Sequence, residues 1–68
     1  MNQESLNLSI RQFLKQFGVT AQREIEHAVE AAHAEGRLRG DETLHATATL
    51  RLASLGVEHV VEGEITLA

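Results

Sequence analysis

The stretch TLHATATLRL, residues 43–52, decides the fold, because apolar and polar side chains alternate along all of it. The even positions from Leu44 to Leu52 hold only Leu and Ala, whereas the odd positions hold Thr, His and Arg. Side chains of a strand point to opposite faces in turn, so this pattern predicts a half-buried strand over residues 43–52. Its three β-branched threonines fit a pleated, half-buried surface.

A second alternating run, HVVEGEITL, covers residues 59–67 and predicts a second strand about there. The two runs flank Gly56, which favours an antiparallel hairpin. Apolar residues occupy even positions in the first strand and odd positions in the second. Facing residues must therefore have numbers with an odd sum.

In the predicted register of this hairpin, the numbers of facing residues add to 113. It leaves residues 55–58 as a four-residue loop, and it sets Arg51 opposite Glu62 and Leu52 opposite Val61. A sum of 111 would make Leu55 the first residue of a two-residue turn. The favoured turns of that length need a positive φ there, which Leu resists.

The N-terminal half predicts two amphipathic helices. Apolar residues at helical spacing indicate a first helix over about residues 3–16, ended by Gly18. Thr20 is a suitable N-cap for a second helix over about residues 21–35, ended by Gly36. The two apolar stripes are Leu6, Ile10, Phe13, Leu14 and Phe17, and Ala21, Ile25, Ala28, Val29 and Ala32. The predicted fold class is α+β, with two N-terminal helices packed on a C-terminal antiparallel hairpin, in the order ααββ.

Chain length predicts a single domain, residues 1–68, with a small core, because a chain this short buries only about 60% of its unfolded surface. There is no Cys, which excludes disulfides, thiolate metal sites and a Cys nucleophile. Self-association is then the expected source of extra stability. A two-stranded ribbon also leaves both edges open. Either residues 37–40 add a third strand, or two chains share a sheet in a homodimer.

The net charge of −4 lies entirely in residues 40–68, which carry five acidic residues and one basic residue. Because polyanion binding needs clustered Lys and Arg, nucleic acid is an unfavourable partner. No apolar run is long enough for a signal peptide or a membrane span. The composition therefore predicts a cytoplasmic protein with no membrane partner.

Residues able to carry chemistry are few. Glu26, Glu30 and His33 share one margin of the second predicted helix, and Glu30 and His33 have the spacing of helical carboxylate–histidine metal ligands. Such sites combine several of these pairs, so the alternative is an ordinary solvated face, and a dimer is the only route to a metal. No Ser lies in a strand–turn–helix elbow. We expect no catalytic residue and no cofactor.

Two surfaces are candidates for a protein partner. Leu8 lies on the side of the first helix opposite the apolar stripe, where a partner contact competes with an ordinary exposed leucine. Thr47, Thr49 and Arg51 lie on the polar face of the first strand. Residues 36–40, with two Arg, could cradle an anion, but the acidic residues that follow favour a simple helix-ending loop.

Three hypotheses for function follow. The first is a non-enzymatic protein-interaction or structural module that acts as a homodimer. The second is a winged-helix-like DNA-binding regulator, suggested by the order helix, short turn at residues 18–20, helix and hairpin. The third is a protein that binds a metal or small ligand through the His/Glu margin of the second helix.

Three blocks of the sequence resemble a family of short bacterial proteins described only as a domain of unknown function. The blocks are GVTAQREIEHAV at residues 18–29, GRLRGDETL at residues 36–44 and VEHVVEGEI at residues 57–65. The resemblance covers nearly the whole chain and implies a freestanding bacterial protein. It implies no activity, ligand or functional residue.

Overall fold

The computed structural model describes residues 1–68 and contains one helix and one hairpin. The elements are α1 (Gln3–Ala34), β1 (Thr43–Leu52), a 3-10 turn (Ala53–Leu55) and β2 (Val57–Thr66). The chain divides into two compact units, Met1–Arg37 and Leu38–Ala68. The α+β class is confirmed, whereas the single domain expected from chain length stays a prediction.

The prediction of two helices is wrong, because residues 18–20 continue α1 without a break. Gly18 does not take the positive φ of a helix-ending glycine. The Thr20 hydroxyl donates backwards to the carbonyl of Gln16 at 2.8 Å, so it serves the middle of a helix and caps no new one. The result is a helix of 32 residues, about 48 Å long.

Residues next to each end of α1 cap the helix. The Asn2 side chain accepts a hydrogen bond from the backbone N–H of Ser5 at 2.9 Å. At the other end the N–H groups of Gly36 and Arg37 donate to the carbonyls of His33 and Ala32, with Gly36 at φ +80°. This pair of bonds is a Schellman motif, in which a glycine takes the left-handed conformation. Gly36 therefore ends the helix, as its sequence position predicts.

The C-terminal hairpin is confirmed. Strands β1 and β2 pair antiparallel over ten residues each, from Thr43 opposite Thr66 to Leu52 opposite Val57. The even positions of β1 from Leu44 to Leu50 are half-buried and the odd ones are exposed. Apolar and polar faces therefore fall where the alternation predicts. The sheet has two strands only, so residues 37–40 add no third strand.

The predicted register of 113 is wrong, although an odd sum is right. Facing residues add to 109, so Arg51 lies opposite Glu58, and Val61 lies opposite Ala48. The loop has the expected four residues but spans residues 53–56, which lets β2 begin at Val57. Gly56 explains the shift, because at φ +65° it closes the 3-10 turn by donating to the Ala53 carbonyl at 3.2 Å.

Gly56 is therefore expected to resist substitution. A side chain at its left-handed φ costs about 1–2 kcal/mol, so Gly56→Ala should lower the free energy of unfolding by about that amount. Gly63→Ala is the matched control, since Gly63 lies in β2 and a Cβ there meets nothing within 4 Å. Chemical denaturation of both variants measures the effect. Equal stabilities for the two variants would contradict the turn geometry.

Candidate interaction surfaces

A continuous apolar stripe runs along α1 because the helix does not stop at Gly18. At about 100° per residue, the two stripes predicted from the sequence fall on one side of a single helix. We call this surface the helix stripe. Its six large members are 39–54% exposed, namely Leu6, Ile10, Phe13, Leu14, Phe17 and Ile25. Its small members are Ala21, Ala28, Val29 and Ala32, of which Ala32 is buried and Ala21 and Val29 are half-buried.

The helix stripe changes in bulk along its length. From Leu6 to Phe17 every member is Leu, Ile or Phe, whereas from Ala21 to Ala32 three of five members are Ala. A helix face with large side chains at one end and small ones at the other does not pack evenly against a parallel copy of itself. This gradient matters for the orientation of any helical partner.

Leu8 lies on the opposite side of α1 from the helix stripe and is 58% exposed. It is therefore accessible, and its role as a partner contact stays a prediction. Val19 lies on the same outer side. One leucine and one valine expose too little apolar surface to form a patch.

The polar face of the hairpin holds three of the residues predicted to contact a partner. Thr47 Oγ1 is 3.4 Å from His45 Nε2, which in turn lies 3.3 Å from Glu62 Oε1. Arg51 Nη2 lies 3.4 Å from Glu58 Oε1 on the facing strand. All these side chains are exposed, so the Arg51–Glu58 ion pair contributes about 0–1 kcal/mol. This face is accessible and mostly polar, with an acidic β2.

The predicted metal residues do not form a site within one chain. Glu26 accepts a hydrogen bond from the Gln22 side chain at 2.9 Å, and Glu30 and His33 are exposed along the same helix. No group of three or more His, Cys, Asp or Glu side chains could hold a metal ion. A metal would need ligands from a second chain.

The loop before β1 binds the carboxylate of its own Glu42 through backbone N–H groups. Glu42 Oε2 accepts from the backbone N–H of Arg39 at 2.9 Å. Glu42 Oε1 accepts from Gly40 at 2.9 Å and from Asp41 at 3.2 Å. These amide groups, chiefly that of Arg39, lower the pKa of the Glu42 carboxyl. The backbone amides of the loop that could cradle an external anion therefore already bind the Glu42 carboxylate.

Replacing Glu42 by Gln is expected to loosen residues 39–41, because an amide offers one accepting oxygen and no charge. The backbone amide signals of Arg39 and Gly40 should move and exchange faster with solvent, as measured by NMR. Glu35→Gln is the matched control, since the Glu35 side chain is hydrogen-bonded to the Arg37 side chain and to no backbone amide. Unchanged loop amides in Glu42→Gln would contradict the arrangement.

The pH dependence of this loop follows from the lowered pKa. A carboxyl whose pKa is lower in the folded state contributes stability above its unfolded pKa. That contribution is lost as the pH falls through the folded pKa. The loop is therefore expected to stay ordered at neutral pH and to loosen only in acid.

Comparison with known proteins gives one relationship. No curated protein and no solved structure matches the chain. No helix is both long and apolar enough to cross a membrane. The model of a family of unknown function, DUF6494, matches residues 1–68. The chain, with its single capped helix and C-terminal hairpin, therefore belongs to this family of unknown function.

Proposed function

We propose that this chain is a non-enzymatic interaction module that acts as a homodimer, with the helix stripe as its contact surface. The observation that carries the proposal is the exposure of six large apolar side chains in one line along α1. A bacterial cytoplasmic setting, implied by the resemblance and by composition, is part of the proposal. Thr47, Thr49 and Arg51 stay proposed contacts for a second protein.

The helix stripe supports self-association on energetic grounds. Fully burying a Leu, Ile or Phe side chain is worth about 1.5–3 kcal/mol, so covering the exposed half of each large member contributes about 1 kcal/mol. A second copy supplies the same number of side chains. A helix whose apolar face is covered by another helix is also more stable than its propensity alone allows.

A shared sheet is the other route to a dimer, because each strand of the hairpin has one unpaired edge. The polar face of β2 carries Glu58, Glu62 and Glu64. Joining β2 to a second β2 would bring these like charges close together, which is unfavourable. We therefore favour the helix stripe over pairing through the β2 edge.

The DNA-binding alternative loses the feature that suggested it. A helix-turn-helix needs two helices joined by a tight turn, and residues 18–20 are helical. The hairpin that would serve as the wing is acidic, which opposes contact with phosphates. A gel shift at low salt is the test of this alternative.

Sedimentation equilibrium over a range of protein concentrations tests the proposal. We expect a reversible monomer–dimer equilibrium that depends little on salt, because apolar burial is not screened as charge pairs are. A monomer at about 1 mM protein, where even an association of about −4 kcal/mol is half complete, would contradict it.

A further inference from the structure

We infer that the two copies of α1 pack antiparallel, centred on residue 19, so that three of the six large side chains of each helix stripe face an alanine of the other. This inference rests on the proposed homodimer and adds its orientation and register. It is carried by the spacing and size of the residues along the helix stripe.

In an antiparallel helix pair, facing residues have numbers with a constant sum. Three large members of the helix stripe find an alanine partner at a sum of 38. The pairs are Leu6 with Ala32, Ile10 with Ala28, and Phe17 with Ala21. Interiors pack at a nearly constant density, and these layers each combine one large and one small side chain.

A fourth pair, of two large side chains, supports the same register. Phe13 faces Ile25, again at a sum of 38. The eight positions are then separated by 4, 3, 4, 4, 4, 3 and 4 residues, a series that reads the same in both directions. Each of these eight positions therefore meets another of the eight on the partner, whereas Leu14 and Val29 face Glu24 and Ser9 and stay outside the series. This symmetry is what a two-fold axis at residue 19 requires.

A parallel pair fits the same surface poorly. It would set Phe13 against Phe13 and Phe17 against Phe17 at one end, and Ala28 against Ala28 at the other. The axes would be forced apart at the N-terminal end and would leave gaps at the C-terminal end, and both defects are unfavourable. The core positions recur about every 3.7 residues, so the antiparallel pair should be straight or slightly right-handed.

Distances between spin labels test the orientation. The chain has no Cys, so Leu8→Cys, Val19→Cys and Glu30→Cys each give one label per chain, all on exposed positions away from the helix stripe. In the antiparallel pair, labels at position 8 or 30 lie eleven residues from the axis. They are then about 33 Å apart along the helix, whereas labels at position 19 are level with each other.

The expected result is two long, equal distances at positions 8 and 30 and a shorter one at position 19. Equal distances at all three positions would overturn the antiparallel orientation and leave the homodimer standing. A monomer in sedimentation, with no dipolar signal from any label, would overturn the homodimer itself. The two failures are thus distinguishable.

A size exchange tests the register. Ile10→Ala alone, and Ala28→Ile alone, should each weaken the dimer about tenfold or more, by a cavity and by overpacking respectively. The double variant restores one Ile and one Ala in each layer and should recover the wild-type dissociation constant to within about threefold. Additive losses in the double variant would overturn the pairing of residues 10 and 28.

Discussion

Replacing Phe17 by Glu is expected to convert the proposed dimer into monomers. Phe17 lies at the centre of the helix stripe and is half exposed in the single chain. The substitution removes an aromatic anchor and would bury an unpaired carboxylate twice in each dimer. The dissociation constant should rise at least about 100-fold, since each 1.4 kcal/mol is worth a factor of ten. Sedimentation equilibrium measures the change directly.

Leu8→Glu is the matched control for this experiment. It introduces the same charge in the same helix, at an exposed site on the opposite side. We expect an unchanged dissociation constant and an unchanged helix content by circular dichroism. Loss of the dimer in Leu8→Glu, with retention in Phe17→Glu, would instead place the contact on the outer side of α1.

Substitutions at Gly18 are expected to have opposite signs. In the interior of a continuous helix, Gly is about 1 kcal/mol less favourable than Ala, and a Cβ at Gly18 meets nothing within 4 Å. Gly18→Ala should therefore raise the free energy of unfolding by about 0.5–1 kcal/mol. Gly18→Pro removes a helical hydrogen bond and clashes with the preceding turn, so it should lower this free energy by about 3 kcal/mol. Thermal unfolding followed by circular dichroism measures both.

The sign of the Gly18→Ala effect decides between one helix and two. If residues 18–20 formed a turn with Gly18 at a positive φ, alanine would be strained there and the variant would be less stable. Val19→Ala is a useful control for helix propensity, because Val19 is exposed within the same segment. If Gly18→Ala lowered the free energy of unfolding, this result would favour two helices over one.

The alternation of residues 43–52 was sufficient to predict the hairpin and its two faces. A period of two residues fixes which side chains share a face, whatever the loop does. For this reason the pattern predicts that Leu44 and Leu50 are half-buried and that Thr47 is exposed, as the structure shows. Gly36 was also a reliable signal, because it follows the last apolar position of a long helical pattern.

The offset of the strands was harder to predict than their faces. Sums of 109 and 113 place the same residues on the same faces and leave loops of different position. The difference lies in whether Gly56 ends the loop or lies within it. Placing the one residue that tolerates a positive φ at the last loop position would have favoured the observed register.

The break predicted at Gly18 illustrates how local signals mislead. A glycine followed two residues later by Thr resembles a helix stop and a new N-cap. The spacing of apolar residues indicates a continuous helix instead, since Phe17 and Ala21 are one turn apart on the same side of such a helix. Two separate helices have no need to keep their stripes in phase. The preserved phase was the better guide.

Glu42 was missed as a structural residue. Its three backbone donors come from Arg39, Gly40 and Asp41, and their convergence depends on loop dihedrals that no periodicity specifies. The only sequence signal was a Glu directly after a glycine-containing loop. Leu8, Thr47, Thr49 and Arg51 were correctly expected to be exposed, because outward positions of regular elements follow from period alone.

The free edge of β2 has a practical consequence for handling the protein. Glu58, Glu62 and Glu64 lie along the strand that has no second neighbour. Like charges on two such edges oppose their pairing. A ten-residue strand without these charges is a template for open-ended stacking. Replacing all three residues by Gln is therefore expected to make samples precipitate as extended β-rich aggregates, whereas the wild-type chain should stay dispersed.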